Sequence, residues 1–297
     1  MIRDVEHSEK WRYIEKIDKG WSFDTKYFIE TINGEKWILR ISPIEFYEQK
    51  KKEYEVIGLY SRLGFPMSKP ISFGVCNEGK QVYQLLTWVE GEELEQALPK
   101  LSPEQQYELG REAGRILRKI HQIPVPKDKI PTKTKIPRKK EQMNRYINSE
   151  VRIPNDEGII KFFYENIDKI WSKPPVYQHG DFHPGNLILT PEGKIGVIDF
   201  NRWEIGDPYE EFYKLEIFGT AVSIPYSRGQ IDAYFDDNVP GDFWEILAVY
   251  VAHASLYSIK WAEKFGQKDI DNMVKICSKS FCHYDYFQRM IPIWYNE

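Results

Sequence analysis

The stretch His179-Gly180-Asp181-Phe182-His183-Pro184-Gly185-Asn186, followed after a short apolar run by Ile198-Asp199-Phe200, holds the residue types of metal-assisted phosphoryl transfer. Such chemistry needs one carboxylate to orient an acceptor hydroxyl and take its proton. It also needs hard oxygen ligands to hold Mg²⁺ on nucleotide phosphates. Asp181 suits the first task, and Asn186 and Asp199 suit the second. A lone His-Gly-Asp would carry little weight. An ordered Asp, Asn and Asp, with strand, turn and strand between them, is far more specific than a surface loop of caps and turns. His179 reads as a brace for this loop through hydrogen bonds.

The flanking residues predict how these groups are positioned. Val176-Tyr177-Gln178 and Leu187-Ile188-Leu189 read as short apolar strands, and Thr190-Pro191-Glu192-Gly193 as a turn into a strand over Lys194 to Ile198. Upstream, Trp11 to Ile17, Lys26 to Thr31 and Glu35 to Ile41 read as three antiparallel strands, the last two joined by Asn33-Gly34, a strong hairpin signal. The first junction, Gly20-Trp21-Ser22-Phe23-Asp24, can fold over phosphates and offer backbone N–H groups, with Ser22 as its nucleotide-contacting residue. Ser42-Pro43 predicts a helix start, and the helix should run from about Ile44 to about Leu63 and stop at Gly64. Glu53 lies on that helix one turn before Ile57, within reach of a cation on the third strand, for which Arg40 is the candidate. Ile71 to Cys76 and Lys80 to Val89 complete a five-stranded sheet. Ser102-Pro103-Glu104-Gln105 is a capping box that opens a helix through about His121, a histidine expected in the core. Helices are expected near Arg138 to Ser149, Asn155 to Trp171, Pro240 to Lys264 and Gln267 to Phe287.

From about Lys19 to about Tyr213, and most strongly over His179 to Asn186, the sequence resembles the aminoglycoside phosphotransferase family of antibiotic and small-molecule kinases. The resemblance implies an α+β, protein-kinase-like two-lobed fold: a small five-stranded antiparallel sheet with one helix, then a larger, mainly helical lobe. It places an N-terminal nucleotide-binding lobe at 1–89 and a C-terminal catalytic and substrate-binding lobe at 90–297. It implies ATP or GTP as donor, Mg²⁺ as cofactor, and a hydroxyl of a small molecule as acceptor, with a cationic antibiotic such as an aminoglycoside as first expectation. Macrolides, choline-like alcohols and amino alcohols are the alternatives. Thr87 to Val89 fall where the family's hinge hydrogen-bonds the nucleotide base. Arg40, expected to bind nonreacting phosphates while paired with Glu53, stands where protein kinases carry a lysine, and its guanidinium can grip phosphate as a fork. A protein substrate would need a long segment after the second Asp, yet Gly206-Asp207-Pro208-Tyr209 follows Asp199 too soon. Where the family usually has an aspartate just after this proline, this chain has Glu210 and Glu211. A catalytically silent nucleotide-binding protein on the same fold is the remaining alternative, and retention of Asp181, Asn186 and Asp199 argues against it.

Composition limits the other possibilities. Over 297 residues, 41% are hydrophobic and 29% charged, ordinary values for a globular protein. The longest apolar run, Ile246 to Ala252, is far short of the ~20 residues a membrane span needs. Met1-Ile2-Arg3-Asp4-Val5-Glu6 shows no basic-then-apolar leader, which predicts a cytoplasmic location. Cys76, Cys277 and Cys282 lack paired-ligand spacing and read as reduced thiols. Within a net charge of −4, residues 203–297 carry fifteen acidic and eight basic side chains. That acidic balance argues against nucleic-acid binding and for a cationic acceptor, with Glu204 and Glu211 as the nearest candidates to meet ammonium groups. The basic, proline-punctuated stretch Lys127 to Lys140 lacks interleaved aromatics and reads as a solvated linker.

Overall fold

The computed structural model describes residue 2, residues 4–18 and residues 24–296. They form two compact units, one of residues 1–92 with 187–203, the other of residues 93–186 with 204–297. The first unit thus takes in a hairpin that chain order alone would assign to the second.

In the first unit, β1 (Trp11–Ile17), β2 (Thr25–Thr31), β3 (Lys36–Pro43), β4 (Pro70–Cys76) and β5 (Gln81–Thr87) form one antiparallel sheet in the order β1-β2-β3-β5-β4. The Asn33-Gly34 turn closes as expected: Gly34 takes φ 80°, and its N–H donates to the Thr31 carbonyl. Side chains alternate across a strand, and that parity sorts β3. Trp37, Leu39 and Ile41 enter an apolar cluster with Val5, Ile29, Cys76, Tyr83 and Leu85, each such burial stabilising by roughly 1.5–3 kcal/mol. Arg40 and Ser42 fall on the opposite face. Lys26 and Gln84 stand directly across from Arg40 on the neighbouring strands and so share that face.

The helix α1 (Tyr47–Tyr60) packs there, its backbone carbonyl at Lys50 accepting a hydrogen bond from Gln84 Nε2 at 2.9 Å. Short 3-10 turns at Ile44–Phe46 and Ser61–Leu63 flank it, and Gly64 ends it at φ 78°. Ser42 does not cap this helix. It remains in β3, and its hydroxyl donates instead to Asp24. The hairpin Leu187–Leu189 with Ile195–Val197 is sewn to the same unit: the Val197 amide donates to the Pro66 carbonyl, and the Phe200 ring meets Tyr60 edge-on.

The second unit is mainly helical. The helix Pro103–His121 opens with the expected reciprocal box, Gln105 N–H donating to Ser102 Oγ and Ser102 N–H to Gln105 Oε1. It crosses the helix Ile224–Tyr234 at backbone contact. A Cβ at Gly110 would lie 2.1 Å from the Tyr226 carbonyl oxygen, and one at Gly229 2.2 Å from that of Tyr107. Helices Ile136–Ile147, Glu157–Asn166, Gly241–Ala262 and Gln267–His283 complete the layer. Gly241–Ala262 is buried along most of its length because several helices surround it. Among the described residues no helix is long and apolar enough to cross a membrane. Cys76 and Cys277 are buried, Cys282 is exposed, and all three are free thiols.

Candidate active site

In the first unit the face shared by β2, β3 and α1 carries a network of alternating charge. Asp24 accepts from Arg40 Nε (2.9 Å), Ser42 Oγ (2.6 Å) and Lys50 Nζ (2.8 Å). Arg40 Nη1 donates to Asp199 Oδ1 at 2.9 Å, and Lys26 Nζ lies 3.9 Å from Asp199 Oδ2. Glu53 accepts from Lys50 at 3.1 Å and lies 3.8 Å from Arg40, an ion pair beyond hydrogen-bond reach. Arg40 and Glu53 are therefore neighbours, while the bonds that orient the guanidinium come from Asp24 and Asp199. Both residues are buried, at 4% and 1% exposure.

A charge can be buried there because opposite charges surround it. Burial alone pushes the Asp24 carboxyl up, but Arg40, Lys50 and the hydrogen bonds from Lys50 and Ser42 outweigh it and hold the group at about 2. Burial pulls Arg40 toward its neutral form, and Asp199, Glu53 and Asp24 more than reverse that. Lys26 is lowered, chiefly by desolvation, against the pull of Asp199. Asp199 itself has φ 61°, a left-handed backbone rarely taken by a non-glycine residue, which turns the chain sharply after the strand Ile195–Val197.

The hinge candidates lie at the end of β5. Thr87 N–H donates to the Lys69 carbonyl, Trp88 N–H donates to the Lys36 carbonyl, and the chain leaves the sheet at Val89. Ser22 lies outside the described residues.

In the second unit the strand Val176–Gln178 pairs antiparallel with Glu204–Gly206 and leads into the loop His179–Asn186. This loop is fastened through its backbone. Glu211, 3% exposed, accepts the His179 N–H at 2.9 Å and the Gly180 N–H at 2.6 Å. Asn186 Nδ2 donates to the Asp181 carbonyl at 2.9 Å, and the Asp181 N–H donates to His179 Nδ1 at 3.2 Å. The Asp181 carboxylate meets Lys214 Nζ at 2.7 Å and His183 Nε2 at 3.6 Å. His121, buried as expected, bonds Tyr234 through Nδ1 and lies 3.6 Å from Glu211 through Nε2.

Glu204 and Glu211 do not share a role. Glu211 is turned into the loop and committed to its amides, and Glu204 pairs with Lys135. Lys135 and Lys139 also hold Glu210, whose carboxyl burial would raise but these two ammonium groups keep at about 2. Other acids of the C-terminal third are likewise engaged. Asp207 accepts from Trp171 N–H, Tyr209 N–H and Tyr250 hydroxyl, Asp232 from Tyr107 and Tyr295, and Glu216 meets His283 and Trp294. Arg118, Arg111, Lys173 and Lys169 pair with Asp236, Asp237, Asp242 and Glu245. Glu204, Glu210, Asp236, Asp237, Asp242 and Glu245 are thus met by cations from earlier in the same unit.

Residues 14–250 match the phosphotransferase enzyme family. The chain belongs to that family. No curated protein sequence matches it. Solved structures agree on the kinase-like fold across nearly its whole length. The GDP complex of an aminoglycoside 2'-phosphotransferase-IIIa mutant is 14% identical, with TM-score 0.71 over 94% of each chain. ADP-bound aminoglycoside phosphotransferase APH(2'')-Ib is 18% identical, with TM-score 0.60 over 96% of this chain and 95% of that one. The amicoumacin kinase hAmiN, in complex with AMP-PNP, Ca²⁺ and Ami, is 13% identical, with TM-score 0.65 over 93% and 90%.

Asp24, Lys50, Lys26 and Lys214 were not legible as site residues from sequence. A signal existed for the first three: Asp24 and Lys26 share strand parity, and Lys50 and Glu53 are three apart on one helix. For Lys214 there was none.

Proposed function

We propose that this phosphotransferase moves the γ-phosphoryl group of ATP or GTP onto a hydroxyl of a small molecule, with Asp181 orienting that hydroxyl and taking its proton. The carrying observation is Asp181 on a loop clamped by Glu211 and Asn186. Phosphoryl transfer asks mainly for positioning and charge neutralisation. The acceptor oxygen bonds to the γ-phosphorus as the bond from phosphorus to the β,γ-bridging oxygen breaks. The electron pair leaves with the nucleoside diphosphate, and the hydroxyl proton passes to Asp181 and on to solvent. Arg40 contributes positive charge for the nonreacting phosphates, and backbone groups of Thr87 to Val89 hold the base.

The donor types suit Mg²⁺, which favours one or two carboxylates together with phosphates and water. With its Nδ2 engaged, Asn186 offers its amide oxygen, and Asp199 its carboxylate. Among the described residues no three His, Cys, Asp or Glu side chains converge on a metal position, so phosphate oxygens and water would complete the shell. Held by these two residues, Mg²⁺ would supply positive charge against the phosphates.

For the acceptor, an aminoglycoside-like antibiotic is the first class, supported by neighbours solved with gentamicin and with hygromycin B. A second reading, a macrolide, choline-like alcohol or amino alcohol, with at most one cationic group and so less need of free carboxylates than a polycation, is favoured by the paired acids around Glu204 and Glu210. The test is a panel of gentamicin, kanamycin, hygromycin B, a macrolide, choline and a neutral polyol with Mg-ATP and Mg-GTP. Acceptor-dependent phosphate transfer is expected, with Asp181→Asn slowing kcat by ~10²-fold or more at nearly unchanged nucleotide affinity. Near-normal turnover by Asp181→Asn overturns the assignment.

A further inference from the structure

The mechanism above leaves one buried charge beside the reacting hydroxyl without a task. Lys214 Nζ is 2.7 Å from Asp181 Oδ1, its side chain is 7% exposed, and its ammonium lies 5.3 Å from the ring centres of both Tyr213 and Phe218. Phe218 is itself backed by the His183 ring at 5.0 Å. Lys214 immediately precedes a π-helical turn, Leu215–Gly219, and such turns recur at functional sites. This turn is anchored from behind. Glu216, 2% exposed, is bonded by His283 Nδ1 at 2.6 Å and by Trp294 Nε1 at 2.7 Å, and its carbonyl accepts from the Thr220 hydroxyl. A flexible lysine is therefore held in one place.

We infer that Lys214 is a catalytic residue of the transfer step, supplying positive charge to the phosphoryl group as it passes to the acceptor oxygen at Asp181. The inference rests on the kinase reading. A hydroxyl that uses Asp181 as base must come within hydrogen-bond reach of that carboxylate, and an ammonium 2.7 Å from the same oxygen then stands beside the reacting atoms. In the ground state the ammonium is balanced by the carboxylate. As the proton moves onto Asp181 its charge falls, while negative charge spreads over the oxygens of the transferring group. The ammonium exchanges one partner for the other, so its interaction strengthens where the barrier lies. The aromatic faces of Tyr213 and Phe218 keep it desolvated, which strengthens that effect.

The test needs no knowledge of the acceptor, since water can take its place. Hydrolysis of Mg-ATP and Mg-GTP is measured for the parent protein, Lys214→Met, Asp181→Asn and the double variant, with melting curves as a folding control. Lys214→Gln serves as a second neutral variant if Lys214→Met does not fold. Lys214→Met is expected to lower kcat by ~10²-fold at nearly unchanged nucleotide KM, and to cost at least ~10-fold again in the Asp181→Asn background. A loss confined to the Asp181 background would mean that Lys214 only positions Asp181, and would overturn the inference. So would a variant that hydrolyses at the parent rate. Failure of the parent to hydrolyse either nucleotide, or to transfer phosphate to any acceptor in the panel, counts instead against the kinase reading.

Discussion

Arg40 is held by side chains, Asp24 and Asp199 by hydrogen bonds with Glu53 nearby, whereas the loop carrying Asp181 is held mostly through its backbone, by Glu211 and Asn186. The contrast follows from the two tasks. Triphosphate carries dense charge and needs fixed charge to meet it, and a buried network can keep cations in place only with carboxylates among them. An acceptor hydroxyl is neutral, and what it needs is a base whose position does not drift, which hydrogen bonds to the loop's own amides secure. Breaking the first region should therefore damage stability, and breaking the second should damage turnover.

The largest effect is expected at Asp24. Asp24→Ala leaves Arg40 and Lys50 buried with one carboxylate fewer, a change that typically costs ~3–5 kcal/mol. Urea unfolding checks this, and a loss under about 1 kcal/mol would show that Asp199 and Glu53 suffice to balance the cations.

Next in size is a pH dependence. Asp24 has a folded value of about 2 against an ordinary 3.8. A carboxyl depressed on folding contributes stability that is complete above its unfolded value and is lost as pH falls through its folded one. Between about pH 4 and 2 the unfolding free energy should drop by on the order of 2 kcal/mol from this group. Asp24→Asn should flatten that slope. Glu210, held at about 2 by Lys139 and Lys135, offers the matching measurement in the second unit through Glu210→Gln. An unchanged acid slope in both variants would mean that these carboxylates are not what the acid limb reports.

The smallest expected effect sharpens the comparison from the other side. Glu211→Gln keeps one acceptor oxygen but turns an amide NH₂ toward a backbone N–H, at a local cost of about 1–3 kcal/mol. Turnover should fall roughly 10-fold, with nucleotide affinity unchanged and a melting temperature lower by a few degrees at about 2–4 °C per kcal/mol. If nucleotide affinity falls with turnover, the two regions are not as separable as their construction suggests.

Much of this was written locally in the chain. Strand alternation, the Asn33-Gly34 turn, the Ser102 capping box and the ordered Asp181, Asn186 and Asp199 are short-range patterns, and short-range sterics and hydrogen bonding decide them. The kinase-like fold was implied by the family resemblance that those ordered residues carry. What tertiary structure alone decided is which charges meet. In sequence Glu53 looked like the partner of Arg40, yet strand parity and the packing of α1 bring Asp24 and Lys50 to the same face. Residues 203–297 looked like an acidic surface, yet Lys135, Lys139, Arg111 and Arg118 fold back onto those carboxylates. Lys214 meets Asp181 at the start of a π-helical turn, thirty-three residues away in sequence. A charge in a sequence carries sign but no direction, and its partner is fixed only when helices and strands have chosen the faces they bury.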